Sequence, residues 1–517
     1  MLQEALLLAV AATTLLYLFC TWTYSHWKKK GVPYVQPIPF FGNTLDLLLF
    51  RQTRREMINS FYEQGAGNPV IGFYQFREPT LLLRDPEIIK SVLVRDFSSF
   101  HDNSFVVNEK LDPLAAKNPF FLKGDKWKAV RSLLTPAFTA AKIKPMVPLM
   151  AAVCKDLVEY LEKEAPKGRP DGLETRELAA KFTTDVVATC AFGIAGNSLK
   201  DPNAELRNMG RDMMAAGLIN HIKFTLITIL PTLAKIVKVK FMNEEVSNFF
   251  RRMIKEAVTY REENKIFRND YLDMLVQIKN KGRVDDDASS IIIGGVKMEY
   301  TDEEIAAYAL TFFLDGFETS SVTLSFTLYE LAVHPEVQDR LRAEVDSVLA
   351  TYNNQLCHEA LQEMVFMDMV INEALRLHPP GPVIDRICTK PVQFSLPNGA
   401  TLALEKGSVV IIPIEGLHFD PQHFPDPEKF DPDRFSEDRK SDIKRYTYLP
   451  FGDGPRICLG MRFALTQMKA GLATIISNFE IRKTPKTPVP IVIDRTSLVP
   501  VAKGGLWIDY VKRTDVQ

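Results

Sequence analysis

The segment FGDGPRICLG, residues 451–460, gives one cysteine a specific chemical environment. Two glycines and a proline favour a tight, irregular loop, and Cys458 directly precedes a helical pattern at residues 461–476. Backbone N–H groups at a helix N-terminus favour a thiolate and lower the pKa of a cysteine. A thiolate flanked by small residues, two positions after Arg456, suits an axial ligand to haem, with the arginine reaching a propionate. The loop alone is equally consistent with a reactive thiol or a buried structural cysteine.

A second group of polar residues, TFFLDGFETSS at residues 311–321, interrupts an apolar helical pattern. The pattern begins at a capping box, TDEE from Thr301, and ends before Pro335. It covers about 32 residues, or roughly 48 Å at 1.5 Å per residue. A glycine inside a helix costs about 1 kcal/mol relative to alanine, so Gly316 needs a reason. The sequence therefore predicts a helix that crosses the whole body and carries functional side chains at its middle.

The cysteine loop resembles a known signature at every defined position. The pattern Phe-x-x-Gly-x-Arg-x-Cys-x-Gly belongs to the haem-thiolate monooxygenases, the cytochromes P450, and the matching residues here are Phe451, Gly454, Arg456, Cys458 and Gly460. Four further segments resemble family motifs, namely WKAVR at 127–131, EALR at 373–376, PVIDRICTK at 382–390 and FDPDRF at 430–435. The resemblance spans the chain and is closest to insect microsomal members related to the vertebrate drug-metabolising branch.

The resemblance implies a haem b group and the residues that hold it. The iron ligand would be Cys458, and the other cofactor-binding residues would be Arg456, Trp127, Arg131, Arg386, Phe451 and Gly316. Glu373, Arg376 and Arg434 would form a buried charge cluster that shapes the haem pocket and performs no chemistry. Taken alone, the Glu373–Arg376 spacing is also typical of a solvated helix pair worth a few tenths of a kcal/mol.

The implied reaction is reductive activation of dioxygen, in which one oxygen atom enters an apolar substrate and the other leaves as water. The axial thiolate pushes electron density that favours O–O cleavage. Two protons must arrive while bulk water stays out, and Glu318 and Thr319 resemble the acid–Thr pair of the family's distal helix. Thr319 would steady a proton-carrying water, and Glu318 would relay protons. A distorted turn at Gly316, opening a groove for oxygen, would explain the glycine.

Asp315 departs from the family pattern, which has Ala or Gly at this place over the haem plane. It shares a helix face with Glu318 and Thr319 by spacing. An unpaired buried carboxylate is costly and tends to stay protonated. In a sister branch a glutamate here forms an ester with a haem methyl, and aspartate is one methylene shorter. Two hypotheses follow: an ester to haem, or a hydrogen bond to a neighbouring helix or a water.

The chain carries no flavin or NADPH motif, so the resemblance implies an external electron source. That source is NADPH through a separate flavoprotein, the NADPH–cytochrome P450 reductase, with cytochrome b5 as a further donor. Basic residues near the haem motifs are predicted to face an acidic reductase: Lys126, Lys128, Lys444, Arg445, Arg462 and Lys469. Any single one of them is equally well explained as an ordinary solvated charge.

Residues 1–27 have the pattern of a membrane anchor. An apolar run of about 20 residues matches the length that crosses about 30 Å of hydrocarbon, and Trp22 and Trp27 suit the interface. The lysines at 28–30 follow the run, whereas a cleaved signal peptide has its basic residues first. Residues 28–43 then predict a basic, proline-rich hinge and residues 44–517 the catalytic domain. With the resemblance, this implies a single-pass anchor in the endoplasmic reticulum membrane and a catalytic domain on its cytosolic face.

Composition limits the classes of partner, compartment and fold that fit this chain. The 517 residues are 46% hydrophobic, and 63 basic against 64 acidic residues leave no global field for nucleic acid. Six dispersed cysteines without zinc spacing favour free thiols in a reducing compartment. Helical periodicity dominates residues 117–378, interrupted by a loop at 282–297, and short strand patterns lie near both ends. The predicted fold class is mainly α with small β-sheets, the cytochrome P450 fold.

Substrate contacts are predicted in apolar, variable segments. These are residues 100–114, the long helix near Phe312 and Phe313, and residues 380–385, which indicate a lipophilic small molecule, a xenobiotic or a sterol- or fatty-acid-like compound. The apolar, lysine-bearing stretch at 221–241 predicts either a core helix pair broken at Pro231 or a patch that dips into the bilayer. Two other functions stay open: a haem-thiolate isomerase or dehydratase, and a haem-binding or ligand-sequestering protein without catalysis.

Overall fold

A computed structural model describes residues 2–165, 170–214, 217–268, 270–281, 300–397, 399–497 and 499–513. The loop predicted at 282–297 lies outside the described residues. The chain divides into two compact units. The smaller unit comprises Met1–Ser104, Gly381–Lys429 and Ser441–Ile457, and the larger unit comprises Phe105–Pro380, Phe430–Lys440 and Cys458–Gln517. As the sequence predicts, the structure is mainly helical with small sheets.

The bounds of the elements are as follows. The helices are α1 Leu2–Thr21, α2 His26–Lys29, α3 Leu45–Leu48, α4 Arg54–Gln64, α5 Pro86–Lys90, α6 Pro113–Ala116, α7 Gly124–Leu134, α8 Ala140–Ile143, α9 Val147–Glu164, α10 Thr175–Val187, α11 Glu205–Met214, α12 Leu218–Ile229, α13 Pro231–Ile236, α14 Glu244–Asn264, α15 Tyr271–Lys281, α16 Asp302–Val333, α17 Pro335–Thr351, α18 His358–Glu363, α19 Val365–Leu377, α20 Ile414–His418 and α21 Met461–Asn478. The strands are β1 Val70–Gln75, β2 Glu78–Leu83, β3 Leu173–Glu174, β4 Val383–Ile387, β5 Val392–Ser395, β6 Thr401–Leu404, β7 Val409–Pro413, β8 Phe479–Lys483 and β9 Trp507–Lys512.

The smaller unit is built on a four-stranded sheet in the order β1-β2-β7-β4, with a separate β5–β6 hairpin. Strands β1 and β2 form an antiparallel pair around a short turn, which agrees with the short strand patterns predicted near both ends of the chain. Strand β7 pairs parallel with β2 and antiparallel with β4. The side chains of Leu81, Leu82 and Leu83 are buried here, because strands covered on both faces need apolar residues at successive positions.

The N-terminal helix fits a membrane anchor. The helical stretch Leu2–Lys29 is long and apolar enough to cross a bilayer, and α1 has no buried residue. Its end is attached to the sheet by Trp27, which is only 1% exposed. The indole N–H donates to the Phe73 carbonyl at 3.2 Å, and a side chain at Gly72 would collide with the ring. Trp27 is therefore a core residue of the smaller unit, and its predicted place at the membrane interface is wrong.

The segment predicted as a hinge also pairs with this sheet. The Val35 N–H donates to the Gly72 carbonyl, and the Gly72 N–H donates to the Pro33 carbonyl. Proline suits such an edge position, because an edge strand needs few of its own N–H donors. Part of the segment is thus extended, as the prolines predict, and is fixed to β1.

Replacing Trp27 with alanine is expected to destabilise the folded body by about 3–5 kcal/mol, the usual range for truncating a buried Trp. Trp22→Ala is the matched control. Trp22 is 78% exposed, so its removal should change stability by no more than about 0.5 kcal/mol. Thermal unfolding of the detergent-solubilised protein, followed by circular dichroism, measures both. Equal melting temperatures for the two variants would contradict the attachment.

The larger unit is organised around α16. Its capping box is present, since the Thr301 hydroxyl accepts from the Glu304 N–H and the Glu304 carboxylate accepts from the Thr301 N–H. The helix runs for 32 residues and ends at Val333, which confirms both predicted boundaries. Helices α10, α14, α15, α19 and α21 pack against it, and a three-stranded sheet, β3-β9-β8, completes the unit.

The stretch predicted as a broken helix pair or a bilayer-contacting patch forms α12 and α13. The break falls at Pro231, as expected for a residue that cannot continue a helix. Several large apolar side chains are exposed on and beside these helices: Leu218, Ile219, Ile222, Leu233, Ile236 and Val237. Large apolar side chains exposed on two neighbouring helices are typical of an interaction site.

Candidate active site

Cys458 lies at the entrance to α21, as its loop predicts. The backbone N–H groups of Gly460 and Met461 point at its sulfur and lower the pKa of the thiol, and Arg131 on α7 acts in the same direction. Burial outweighs these contributions and raises the pKa of Cys458 to about 11. The helix N-terminus therefore lowers the pKa as predicted, and the opposing effect of burial is larger. The donors are oriented for a sulfur anion, and a bound cation is needed to complete its stabilisation.

The two exposed side chains on the central turns of α16 are Asp315 and Thr319; all others between Ile305 and Ala332 are buried or half-buried. The half-buried residues Thr311, Leu314 and Gly316 border the same stripe. Burial nevertheless raises the pKa of Asp315 to about 7. A side chain that is accessible and yet surrounded by protein faces an internal recess.

Cys458 shows the same combination, because its surface is accessible while burial raises its pKa. The carboxyl of Asp315 contributes to the pKa of the Cys458 thiol, as expected if both groups border the same recess. Burial lowers the pKa of the Arg131 guanidinium, and the nearby Cys458 partly restores it. Trp127 lies one turn before Arg131 on α7. The larger unit thus brings together the sulfur of Cys458, the polar stripe of α16 and the guanidinium of Arg131. This set of groups fits a haem.

A family model described as Cytochrome P450 matches residues 32–507. The chain belongs to the cytochrome P450 family. It is 38% identical over 520 residues to "Cytochrome P450 6k1" of Blattella germanica, covering 99% of this chain and 98% of that protein. It is 37% identical to "Cytochrome P450 9e2" of the same insect, covering 96% of each chain. It is 36% identical to "Probable cytochrome P450 6a14" of Drosophila melanogaster, covering 94% of this chain and 95% of that protein.

Membership in the family identifies haem iron as the cofactor of this P450. In the smaller unit, the remaining predicted cofactor residues form part of the β-sheet and the cysteine loop. The Arg456 Nε donates to the His101 carbonyl, and its Nη2 lies 3.8 Å from Asp102. Arg386 on β4 donates to the Asp385 carbonyl, while its Nε is buried without a partner in the described part of the chain. A buried guanidinium nitrogen of this kind suits an anionic group such as a propionate.

The loop before Cys458 has the tight geometry that its glycines predict. Gly454 has a φ of +74°, and a side chain there would collide with the Leu93 carbonyl, so only glycine fits. Phe451 is half-buried in a turn closed by the Gly452 N–H, which donates to the Leu449 carbonyl at 3.0 Å.

Glu318 and Thr319 point to different sides of α16. Glu318 is 3% exposed and forms an ion pair with Arg176 on the first turn of α10. Thr319 faces the recess, and its hydroxyl donates to the Asp315 carbonyl at 2.6 Å. Consecutive residues of a helix are separated by 100°, so adjacency in sequence does not bring the acid and the hydroxyl together. Arg176 was not predicted, because nothing local to it marks a partner 142 residues away.

Gly316 lies where α16 approaches α10. A side chain at this position would come within 3.2 Å of Val187, and the helix continues without a break. Close packing of two helices is therefore the reason for the glycine, and the predicted distorted turn is absent from this described helix. Gln467 on α21, which the sequence analysis missed, donates to the Gly316 carbonyl at 2.8 Å and to the Ser320 hydroxyl at 2.7 Å.

The predicted charge cluster is present and fully buried. Arg376 donates to both oxygens of Glu373 at 2.8 and 2.7 Å, and the Arg434 Nε lies 3.3 Å from the same carboxylate. The Asp431 N–H completes the set at 3.0 Å. Burial raises the pKa of Glu373 and the surrounding donors oppose that shift. Glu373 and Arg376 are both fully inaccessible, so the pair is not a solvated surface pair.

The structure also bears on the predictions for Phe312, Phe313 and Asp315. Phe312 packs against Phe138, Tyr271 and Phe463, and Phe313 packs against Phe250 and Phe317. Both are core residues, so neither is itself available to a substrate; contact with the neighbouring part of α16 stays a prediction. For Asp315, the predicted hydrogen bond to a neighbouring helix is not found among the described residues.

Proposed function

We propose that this P450 is a monooxygenase that takes electrons from NADPH through a separate flavoprotein reductase. Its substrate is a lipophilic small molecule, a xenobiotic or a sterol- or fatty-acid-like compound. The observation that carries the proposal is the accessible sulfur of Cys458 in a recess at which the polar stripe of α16 presents the hydroxyl of Thr319. An isomerase needs no proton-handling hydroxyl of this kind, and a sequestering protein needs neither group.

The chain's own residues would hold the cofactor and place its charges. When bound, haem supplies reductive activation of dioxygen, with one oxygen atom entering the substrate and the other leaving as water. Cys458 would ligate the iron as a thiolate and donate electron density. In the larger unit, Trp127 and Arg131 would bind a propionate; in the smaller unit, Arg386 and Arg456 carry donor groups that match a carboxylate in the same way. Phe451 and Gly316 would shape the space around the ring.

Thr319 and Glu318 would manage the protons of the reaction. The Thr319 hydroxyl donates to a backbone carbonyl, so its lone pairs remain available to accept from a water in the recess. Glu318 is bound to Arg176 on the far side of the helix. A proton passes through Glu318 only when that ion pair opens, which makes Arg176 the group that limits the relay.

Replacing Thr319 with alanine is expected to lower product formed per NADPH consumed by at least about tenfold, since a proton-transfer group typically contributes about a hundredfold or more to its step. Thr323→Ala is the matched control, because its hydroxyl makes the same bond to the carbonyl four residues earlier and is buried. Coupled turnover measured with purified reductase distinguishes them. Equal coupling in both variants would remove Thr319 from proton delivery.

The basic residues near the cofactor motifs support docking of an acidic reductase, with one correction. Lys126 and Lys128 on α7 and Arg462 on α21 are exposed, as are Lys444 and Arg445 in the smaller unit. Lys469 is 3% exposed and bonds to Asp368 at 2.8 Å and to the Met364 carbonyl at 3.1 Å. Lys469 is therefore a structural residue, and its predicted place in a docking surface is wrong.

The function is tested by reconstitution of the haem-loaded protein with NADPH and reductase. The reduced carbon monoxide complex is expected to show the thiolate-shifted Soret band, and product is expected only when both NADPH and reductase are present. The double substitution Lys126→Glu/Lys128→Glu should raise the reductase concentration for half-maximal turnover about tenfold at low salt. Lys406→Glu, at an exposed lysine between β6 and β7, should leave it unchanged. Product formation without NADPH or reductase would contradict the monooxygenase assignment.

The anchor and the exposed apolar residues of α12 and α13 support attachment to one membrane. We infer a single-pass protein of the endoplasmic reticulum, with the lysines at 28–30 and the catalytic body on the cytosolic face. The α12–α13 surface would then lie in the lipid interface. Reductase and cytochrome b5 on the same face would be its electron-donor partners.

A further inference from the structure

Asp315 is an acidic residue of α16 that takes no part in holding the haem or in delivering protons. It lies in the middle of α16 and is accessible, whereas the neighbouring acid Glu318 is buried in an ion pair with Arg176. Within the described residues, the Asp315 side chain has no hydrogen bond and no ion pair. Within the part of the chain that the structure describes, its carboxylate therefore has no counter-ion.

The lack of a counter-ion at Asp315 is unusual because of the residues that surround it. Burial alone raises its pKa to about 7, and no nearby cation opposes the shift. The stripe beside it consists of Thr311, Leu314, Gly316 and Thr319, none of which carries a positive charge. Arg131 acts on the thiol of Cys458 and not on this carboxyl. With a pKa of about 7 the carboxyl is partly protonated at neutral pH, and its charged form is stabilised only by a partner that enters the recess.

The position of Asp315 relative to Thr319 indicates what that partner is. The two residues lie one helical turn apart on the same stripe, so a group bound at Asp315 is held beside the hydroxyl assigned to proton handling. A neutral hydroxyl would satisfy one oxygen of the carboxylate but would leave its charge uncompensated. A cationic nitrogen supplies both an electrostatic partner and, when it carries hydrogen, a donor.

We infer that Asp315 is a specificity-determining residue and that this P450 favours lipophilic substrates that carry a cationic nitrogen. The inference deepens the proposed function. It rests on that function in calling the bound compounds substrates, but the preference for a cation can be measured as binding, without turnover. Specificity arises because the cation is paired in the recess, whereas a neutral compound of the same shape leaves the carboxylate unpartnered.

The test compares two probes of the same shape on the haem-loaded, full-length protein. N,N-dimethyl-4-phenylpiperidinium is permanently charged and cannot ligate iron, and 1,1-dimethyl-4-phenylcyclohexane is its neutral isostere. Affinities are measured by titration of the Soret band and by calorimetry. The informative quantity is the ratio of the two dissociation constants, because it removes differences in lipophilicity that are common to all variants.

In Asp315→Asn, the dissociation constant of the cation is expected to rise by about tenfold or more relative to that of the neutral isostere. Asp315→Glu keeps the charge and should retain most of the preference, and Asp315→Ser serves if the asparagine variant does not load haem. Glu336→Gln removes an equal charge from the exposed start of α17 and should leave the ratio unchanged. An unchanged ratio in Asp315→Asn, or no saturable binding of the cation to the wild type, would overturn the inference.

Two further outcomes separate this inference from others. Acid–acetone extraction followed by mass spectrometry tests for an ester between Asp315 and haem; an esterified carboxyl carries no charge, so that result would also overturn the proposal. Turnover of neutral substrates with NADPH and reductase, but with no preference for the cation, would overturn the inference and leave the proposed function intact. Loss of turnover on every substrate, with the binding ratio as expected, would overturn the function and leave the preference intact.

Discussion

Replacing Cys458 with serine is expected to abolish the thiolate-shifted Soret band of the reduced carbon monoxide complex and to lower turnover by at least about a hundredfold. The physical reason is the loss of the soft, electron-rich sulfur anion that favours O–O cleavage; a loss of about 2.7 kcal/mol in barrier lowering already corresponds to a hundredfold. The N–H groups of Gly460 and Met461 that point at the sulfur would remain, but a serine hydroxyl does not ionise in their field.

Cys357→Ser is the matched control for this substitution. The Cys357 sulfur caps α18 by accepting from the Ala360 N–H at 3.5 Å, and serine is a preferred residue at such a position. The control should retain both the shifted band and turnover. A shifted band in Cys458→Ser, or its loss in Cys357→Ser, would contradict the assignment of the iron ligand. Absorption spectra recorded on equal amounts of folded protein give the answer directly.

Replacing Glu373 with alanine is expected to destabilise the larger unit by about 3–5 kcal/mol, the cost of leaving buried charges without their partner. The carboxylate accepts from Arg376 and from the Asp431 N–H and pairs with Arg434. Its removal leaves two guanidinium groups in the interior. The expected result is a sharply reduced yield of haem-loaded protein and a large fall in melting temperature, measured by the Soret absorbance during heating.

Asp433→Ala provides a control from the same segment. Asp433 pairs with Arg340 at 2.9 Å, with side chains 44% and 54% exposed respectively, and pairs of this kind contribute about 0–1 kcal/mol. Glu373→Gln tests charge separately from shape, since it keeps the volume and loses the anion; it should also be unstable. A Glu373→Ala protein with the melting temperature of Asp433→Ala would show that the cluster contributes no more than a surface pair.

The sequence by itself determined the features whose signals are local. The cysteine loop was predictable because Gly454 occupies a conformation and a space that only glycine fits, and its residues match a ten-residue signature. The ends of α16 were predictable because a capping box and a proline act within one turn of the helix. The β1–β2 pair and the break at Pro231 follow from the same kind of short-range constraint. The Glu373 cluster was predictable only through the family resemblance.

The tertiary structure decided which polar groups have partners. Glu318 and Asp315 are both acids on one helix, yet one is paired with Arg176 and the other faces the recess; the difference depends on α10, which is distant in sequence. Lys469 is a basic residue of the kind usually found at the surface, yet its side chain is buried and binds Asp368. Trp27 follows an apolar anchor, yet its indole fills the space above Gly72. Periodicity fixes where a side chain points on its own element, but burial and charge compensation depend on what another element places opposite it.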